Sequence, residues 1–372
     1  MNIDQERKIK EMLSGKHFVL VGAGQLGEMA ISIWPHDLPP PLAVLDSNKT
    51  GFCLGVGISA LKGFQMDPKP VFLLSAFKIG VREVSEIFAD LGQDLVLTVY
   101  DFFEHHCPSV FSNGWRNLEA DNRKISKIAS VRECFSDSRS LEVFDAAVDW
   151  RYRRVLTRRF ECESENTKYD VRRYGIKRSQ YGIVIDCGAF DLSLASYLHA
   201  ASIKVERYVA FEPDRANLAR CMAAQKQSLA GIEAVELQEL ALFEEPLEQR
   251  FLESGLLSSR IVADVPAAFE GQIKTVKTTT LDNYFCRSEL NGREGALLKL
   301  HLEGAEIQVL RGAVNLIKDI KPDVFVNLSH DEVSLLDIPL FFRDMGGYQL
   351  SLAGHSLFGE GITLFATKCD RT

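Results

Sequence analysis

The second half of the chain alternates short apolar runs with longer segments of mixed polarity. The apolar runs have the length of strands buried in a sheet, and the segments between them have the spacing of helices. The predicted strands lie near residues 182–187, 207–212, 233–238, 296–302, 323–328, 348–353 and 361–367. The predicted helices lie near residues 191–201, 214–228, 305–318 and 331–345. This alternation predicts an α/β fold with a mostly parallel sheet.

The last two predicted strands are separated only by a glycine-containing loop, residues 354–361. A connection this short joins antiparallel strands, because a parallel crossover needs about a dozen residues or more. We therefore expect an antiparallel hairpin at the end of the sheet. A long insertion between strands, residues 243–280, is predicted to cover a substrate.

The first half shows the same alternation on a smaller scale. Strands are predicted at residues 16–23, 42–46, 71–75 and 94–100, and helices at residues 1–15, 25–34 and 81–91. This pattern predicts a second, smaller Rossmann-like α/β domain. The expected organisation is an N-terminal Rossmann-like domain over residues 1–115, a connector over 116–178 and a larger domain over 179–372.

The composition is ordinary for a globular protein, with 46% hydrophobic and 25% charged residues among 372. The formal net charge of −8 argues against a nucleic-acid or anionic-membrane partner, because phosphate recognition needs clustered basic residues. The eight cysteines are scattered without a C-x-x-C pair, as in reduced cytosolic proteins. The first residues are charged and no apolar run could span a bilayer, so a cytoplasmic protein is expected.

The ends of the first two strands of the second half carry the most informative residues. One strand closes in the turn Asp186-Cys187-Gly188-Ala189, and the next ends in Glu212. In doubly wound sheets ligands bind beyond the carboxyl ends of the strands, where a carboxylate can accept hydrogen bonds from both hydroxyls of a ribose. The G-x-G-x-x-G that admits a pyrophosphate is incomplete here. S-adenosylmethionine has the ribose and adenine without a phosphate, so it fits this pattern and implies methyl transfer.

A turn in the first half competes as a nucleotide site. Gly22, Gly24 and Gly27 form a G-x-G-x-x-G between a strand and a helix, and Asp46 follows near the spacing expected of a ribose-binding acid. One interpretation is NAD or a nucleotide sugar held at the helix N-terminus. The other is that the glycines allow a tight turn and close helix–strand packing in an accessory domain. We favour the second interpretation, because no acid–base pair for hydride transfer follows in this half.

Several segments of the second half resemble the FkbM-family methyltransferases. The matching segments are DCGAFD (186–191), AFEPD (210–214), TTTLDNYF (278–285), LKLHLEGAEIQVLRGA (298–313), NLSHDEVSLLDIP (327–339) and ITLFA (362–366). The resemblance extends over residues 181–367, and its most specific part is the segment 298–313. It implies a class I methyltransferase fold, S-adenosylmethionine as the cofactor, and methylation of hydroxyl oxygens on sugars or polyketides.

The resemblance also implies which residues hold the cofactor. The methionine end would lie against the turn after the first strand, the ribose hydroxyls against the acid after the second, and the adenine beside the end of the third. The predicted cofactor-binding residues are Asp186, Gly188, Ala189, Glu212 and Glu239. Leu192 stands where the family has a glycine, and a leucine is expected to narrow the space in which the backbone approaches the cofactor.

Three residues at strand ends are candidates to remove the acceptor's hydroxyl proton. His301 and Glu303 lie in the segment LKLHLEGAE, in which the family has an aspartate at the position of His301. His330 follows the fifth strand and is the first choice for the general base or the acceptor-orienting residue. No metal site is predicted, because the tempting run Glu104–Cys107 consists of adjacent residues that cannot converge on one ion.

These observations predict an S-adenosylmethionine-dependent O-methyltransferase that acts on a saccharide or another small molecule. Two alternatives stay open. The chain could bind NAD or a nucleotide sugar through its first-half glycines, or it could be a non-catalytic methyltransferase-like scaffold, as Leu192 and His301 would suggest. The identity of the acceptor and association into a homo-oligomer are not determined at this level.

Overall fold

The computed structural model describes most of the chain. The described residues are 3–77, 79–106, 122–157, 160–161, 168–170, 178–226, 231–253, 255, 259–262, 272–286, 290, 295–358 and 361–369. The chain divides into two compact units, one of residues 1–125, 142–163 and 354–362, and the other of residues 126–141, 164–353 and 363–372. The predicted domain boundaries at residues 115 and 178 remain predictions, and most of the predicted connector lies outside the described residues.

The first unit contains a six-stranded sheet with the strand order β3-β4-β2-β1-β5-β6. Its strands are β1 (Phe18–Val21), β2 (Ala43–Asp46), β3 (Gly51–Cys53), β4 (Val56–Ala60), β5 (Val71–Leu74) and β6 (Leu97–Thr98). Its helices are α1 (Ile3–Leu13), α2 (Gln25–Ser32), α3 (Val81–Asp90) and α4 (Val99–His106). All pairings are parallel except that of β3 with β4. The predicted α/β character of this half is confirmed.

The predicted strand at residues 94–100 is mostly wrong, because the chain becomes helical at Val99. Thr98 donates its backbone N–H and its hydroxyl to the carboxylate of Asp101, and Asp101 donates its N–H back to the Thr98 hydroxyl. This reciprocal capping box satisfies donors that a helix start would leave unpaired, so it favours a helix over an extended run. The hairpin β3–β4 was not predicted, because its strands are short and largely exposed and lack a clear apolar alternation.

The chain between the two sheets forms helices in its described parts. These are α5 (Asn122–Arg132), α6 (Ser138–Val148) and a π-helical turn, Asp149–Arg153. Within the described residues, no helix of the protein combines the length and the apolar character needed to cross a membrane.

The second unit contains a seven-stranded sheet with the strand order β16-β17-β15-β14-β7-β8-β9. Its strands are β7 (Gln180–Cys187), β8 (Lys204–Phe211), β9 (Ile232–Gln238), β14 (Ala296–Leu300), β15 (Asp323–Asn327), β16 (Tyr348–Gly354) and β17 (Ile362–Lys368). Strands β9, β8, β7, β14 and β15 are parallel, and β17 inserts antiparallel beside β15. The predicted Rossmann-like class I sheet, with its antiparallel ending, is confirmed.

Helices flank this sheet where the sequence pattern placed them. They are α7 (Ser193–Ala200), α8 (Arg215–Gln225), α9 (Leu281–Tyr284), α10 (Glu306–Arg311), α11 (Val314–Ile320) and α12 (Glu332–Met345). The helix predicted at 305–318 is split into α10 and α11 at Gly312. A Cβ atom at Gly312 would lie 2.5 Å from the carbonyl oxygen of Phe243, so the close approach of these two backbones excludes a larger residue.

The insertion at residues 243–280 forms part of a small second sheet. The order of this sheet is β10-β13-β11-β12, and its strands are β10 (Ala241–Leu242), β11 (Glu248–Leu252), β12 (Arg260–Ile261) and β13 (Ile273–Thr279). The sheet begins directly after β9, so its first strands border the carboxyl end of the larger sheet. Residues 263–271 of the insertion lie outside the described part of the chain.

Candidate functional site

The turn after β7 is pressed against two neighbouring strand ends. The N–H groups of Gly188 and Ala189 both donate to the carbonyl of Phe211 at the end of β8. Gly188 has φ = 78°, and a Cβ atom there would lie 2.0 Å from the carbonyl oxygen of His301. Only glycine fits this position. The predicted importance of Gly188 therefore has a backbone reason, whereas Ala189 is buried in the core and lies outside the pocket described below.

Asp186 lies beneath this turn and faces the protein interior. Its carboxylate is 2.8 Å from Nζ of Lys299 and accepts a hydrogen bond from the hydroxyl of Tyr208 at 2.5 Å. Burial acts to lower the pKa of Lys299, but the facing charge of Asp186 outweighs it and raises the pKa. Lys299 also donates to the Gly188 carbonyl, so the ion pair connects Asp186 to the turn, and the contact of Asp186 with the methionine end stays a prediction.

Glu212 follows β8 and lines a pocket at the carboxyl end of the sheet. Its Oε2 accepts the N–H of Phe190 and its Oε1 accepts the N–H of Asp214, each at 3.0 Å. Each carboxylate oxygen has two lone pairs, so one on each oxygen remains for a ligand. Burial raises the pKa of Glu212 above its ordinary value, although both N–H groups act in the opposite direction. A desolvated carboxylate with two open acceptor positions suits the two hydroxyls of a ribose.

Apolar side chains continue the pocket beyond Glu212. The lining residues on this side are Leu240, Ala241, Leu242, Phe251 and Ile261, which come from the loop after β9 and from the small sheet. An apolar lining next to an acid that is predicted to bind a ribose fits an adenine ring. Glu239, predicted to border the adenine, is not among the lining residues. Its carboxylate is exposed and pairs with Arg215 at 3.0 Å, away from the pocket.

Another part of the pocket wall comes from His301 and Glu303, which follow β14. His301 Nε2 lies 3.4 Å from Glu303 Oε1, and both residues line the pocket. Glu303 has φ = 54°, a left-handed conformation that costs a non-glycine residue about 1–2 kcal/mol. Strained residues of this kind cluster at functional sites. The structure thus brings two of the three predicted catalytic residues to the pocket wall.

His330 lies behind Glu303 and is 1% exposed. Its Nδ1 is 3.4 Å from Glu303 Oε2, and its Nε2 is 3.6 Å from Oε1 of Glu306. His330 is not among the residues that line the pocket, and its role as the general base or the acceptor-orienting residue stays a prediction. His330 is placed to act on Glu303.

Hydrogen bonds and burial set the protonation states of His301 and Glu306. Asn327 accepts the N–H of Ser329 with its Oδ1, so its amide NH₂ faces His301 Nε2 at 3.1 Å and that nitrogen is the acceptor. Burial, aided by the charge of Lys168, lowers the pKa of His301 well below its ordinary value, so this imidazole is neutral. Burial raises the pKa of Glu306 to about 8, although it accepts the N–H groups of Leu302 and Gly304.

Leu192 does not narrow the pocket as expected. Its side chain is fully buried in the apolar core of the second unit and is not among the pocket-lining residues. It has φ = 58°, the left-handed conformation that a glycine adopts without strain. Sequence reasoning missed Phe190, which lines the pocket beside Glu212, also with a positive φ of 53°. The sequence offered one indication of this role, which is that Phe190 lies between Asp186 and Asp191 in the turn after β7.

The competing turn in the first unit is held together by its own residues. Asp46 accepts the N–H of Ala23 with Oδ2 and the N–H groups of Asn48 and Lys49 with Oδ1. Burial acts to raise the pKa of Asp46, but these hydrogen bonds outweigh it and lower the pKa. A Cβ atom at Gly27 would lie 2.4 Å from the Gly22 carbonyl oxygen. These contacts give Asp46 and Gly27 structural roles, as the structural interpretation of the motif expects.

Comparisons with known proteins support a methyltransferase fold for this chain. The sequence profile of the methyltransferase FkbM domain matches residues 186–349. The crystal structure of methyltransferase FkbM from Methylobacillus flagellatus KT superposes with a TM-score of 0.64 and 18% identity, covering 98% of this chain and 94% of that one. That identity shows a shared fold.

Two other solved structures are more distant. Ribosomal protein L11 methylase from Lactobacillus delbrueckii subsp. bulgaricus has a TM-score of 0.30 and 12% identity, covering 55% of this chain and 78% of that one. A SAM-dependent methyltransferase from Aquifex aeolicus has a TM-score of 0.29 and 11% identity, covering 64% and 97%. No curated protein matches the chain. Residues 186–349 thus match the methyltransferase FkbM domain, and the sheet around them has the strand order of a class I methyltransferase fold.

Proposed function

We propose that this methyltransferase uses S-adenosylmethionine and transfers the methyl group to a hydroxyl oxygen of a saccharide or a related small molecule. The observation that carries the proposal is Glu212, which lines the pocket together with apolar side chains and accepts only one N–H group on each carboxylate oxygen. The lining beside Glu212 combines apolar side chains with the polar residues Asn217, Ser259 and Arg260, and this mixture fits an adenine and a ribose. S-adenosylmethionine, when bound, supplies a methyl group on a positively charged sulfur.

The residues that follow β14 in the pocket wall fit a hydroxyl acceptor. A hydroxyl loses its proton as its oxygen gains the methyl group, so a nearby proton acceptor assists the transfer. Glu303 lines the pocket and can accept a hydrogen bond from the hydroxyl, and the neutral imidazole of His301 lies beside it. His330 holds the Glu303 carboxylate from behind. The enzyme otherwise contributes by holding the methyl donor and the hydroxyl acceptor next to each other in one pocket.

Calorimetric titration of the purified chain with S-adenosylhomocysteine and, separately, with NAD tests this proposal. The expected result is saturable binding of one S-adenosylhomocysteine per chain and no binding of NAD. Binding of NAD alone would overturn the proposal in favour of the turn at Gly22–Gly27. Binding of neither ligand would favour a non-catalytic scaffold.

A further inference from the structure

His301, Glu303 and His330, which we call the acceptor cluster, point three ligand-type atoms at one another. One atom from each residue lies within 4.8 Å of the other two. His301 Nε2 lies 3.4 Å from Glu303 Oε1, and His330 Nδ1 lies at the same distance from the other carboxylate oxygen, Oε2. That is longer than an N–H···O hydrogen bond of about 2.7–3.2 Å. In a tetrahedral metal site with bonds of about 2.1 Å, neighbouring ligand atoms are about 3.4 Å apart.

The surroundings of His330 match those of a metal-ligating histidine. Such a histidine usually turns its second ring nitrogen to a carboxylate, which fixes the ring and makes the first nitrogen a better ligand. His330 presents Nδ1 to Glu303 and Nε2 to Glu306, at 3.4 and 3.6 Å. Glu306 is itself held by the N–H groups of Leu302 and Gly304. An outer carboxylate therefore stands where a metal site would need one.

The donor set selects the kind of ion. Magnesium and calcium prefer oxygen ligands throughout, whereas two imidazoles with one carboxylate suit first-row ions such as zinc, cobalt and iron. Glu303 supplies the negative charge in the cluster, and the nearby charge of Lys168 opposes a cation. The Asn327 amide, 3.1 Å from His301 Nε2, competes for the same lone pair, so binding exchanges one hydrogen bond for a coordinate bond.

We propose that the acceptor cluster binds one divalent first-row transition-metal ion, held by His301, Glu303 and His330. Two of the three ligands line the pocket and the third lies behind them, so the fourth coordination position faces the acceptor. A hydroxyl that takes this position loses its proton more readily, and the proton passes to solvent. The ion then replaces Glu303 as the group that activates the hydroxyl. This role rests on the proposed methyl transfer, whereas the binding of the ion does not.

The test uses Co²⁺ alone, added to the full chain after treatment with a chelator, with visible absorption and equilibrium dialysis as readouts. Cobalt distinguishes this site from cysteines, of which Cys286 and Cys369 are exposed, because thiolate ligands add a charge-transfer band in the near ultraviolet. We expect one equivalent per chain and visible bands without the thiolate band.

His301→Gln and Glu303→Gln should each lower the affinity for Co²⁺ by more than about 100-fold. This exceeds the loss of about 10–100-fold that follows when a residue hydrogen-bonded to a metal ligand is removed. Glu306→Gln should weaken binding by about 10–100-fold. His36→Gln, which changes an exposed histidine of the first unit, is the control and should bind as the wild type does. Circular dichroism and the affinity for S-adenosylhomocysteine monitor folding. If either His301→Gln or Glu303→Gln misfolds, the other variant still tests the site.

Each result has one meaning. Unchanged affinity in both ligand variants, a thiolate band, or no cobalt binding in the wild type would overturn the cation site. Cobalt binding of the expected pattern in a chain that does not bind S-adenosylhomocysteine would preserve the cation site and defeat the proposed function. Binding of S-adenosylhomocysteine without the expected cobalt binding would support the proposed function and contradict the cation site.

Discussion

Lys299 on β14 lies directly across from Asp186 on β7, and its Nζ is 2.8 Å from Asp186 Oδ1. The two side chains are only 6% and 1% exposed. Lys299 also donates to the carbonyl of Gly188. One buried ion pair therefore connects the turn at the cofactor end of the pocket to the strand that leads into His301 and Glu303.

Replacement of Lys299 by methionine should destabilise the protein by about 3–5 kcal/mol, because Asp186 would stay buried without its counter-charge. The double variant Lys299→Met, Asp186→Asn should recover a large part of this loss, since neither partner is then charged. Urea unfolding measures both free energies. Arg215→Met, which removes an exposed ion pair with Glu239, is the control and should cost no more than about 1 kcal/mol. An equally small cost for Lys299→Met would show that the buried pair contributes little.

Glu212→Gln should weaken the binding of S-adenosylhomocysteine by more than about tenfold, because hydrogen bonds to a charged group contribute about 1.5–3 kcal/mol each. The change keeps the size of the side chain and removes its charge. Glu239→Gln is the matched control, since this carboxylate was also predicted to bind the cofactor but is exposed and paired with Arg215. Calorimetry should find its affinity unchanged. Equal effects of the two variants would contradict the assignment of the ribose to Glu212.

Asp214 should make the stability of the protein depend on pH. Burial acts to raise its pKa, but hydrogen bonds from the Ser259 hydroxyl and from the N–H groups of Asn217, Gly255 and Ala216 outweigh it and lower the pKa. A lowered pKa in the folded state means that the contribution to stability is fully present above the unfolded pKa, about 3.9. It is lost as the pH falls through the folded value.

Asp214→Asn tests this dependence. The variant should be less stable than the wild type by about 1–3 kcal/mol at pH 7, because the amide cannot accept all four hydrogen bonds. The difference should begin to shrink below about pH 4, where the unfolded carboxylate takes up a proton, and should be lost as the pH falls through the lower pKa of the folded state. Denaturant unfolding at several pH values measures it, with Asp37→Asn, an exposed site in the first unit, as the control. A difference that does not change with pH would exclude the ionised carboxylate as its source.

Leu192→Gly should destabilise the protein despite restoring the family's residue. Glycine relieves the left-handed strain of about 1–2 kcal/mol, but the loss of a fully buried leucine side chain costs about 2–5 kcal/mol. The affinity for S-adenosylhomocysteine should change less than about twofold, because the side chain does not line the pocket. Unfolding and calorimetry measure the two effects. A gain in affinity without a loss of stability would revive the view that Leu192 obstructs the cofactor.

The strands of the larger sheet and the edge of that sheet at which the candidate residues lie follow from the sequence alone. Apolar runs and their spacing gave the seven strands of the second unit, and the short last loop gave its antiparallel ending, because these features depend on neighbouring residues. The residues at the strand ends, Gly188, Glu212, His301 and Glu303, follow from the same local pattern, since parallel strands bring their carboxyl ends to one edge.

The direction in which other side chains at the strand ends face depends on the tertiary structure. Asp186 is turned inward because Lys299 lies across from it on a strand distant in sequence, and Glu239 is turned outward to Arg215. His330 stands behind Glu303 because β14 and β15 are neighbours in the sheet. A carboxylate or an imidazole takes its role from the charges and donors around it, and pairing between distant strands supplies those partners.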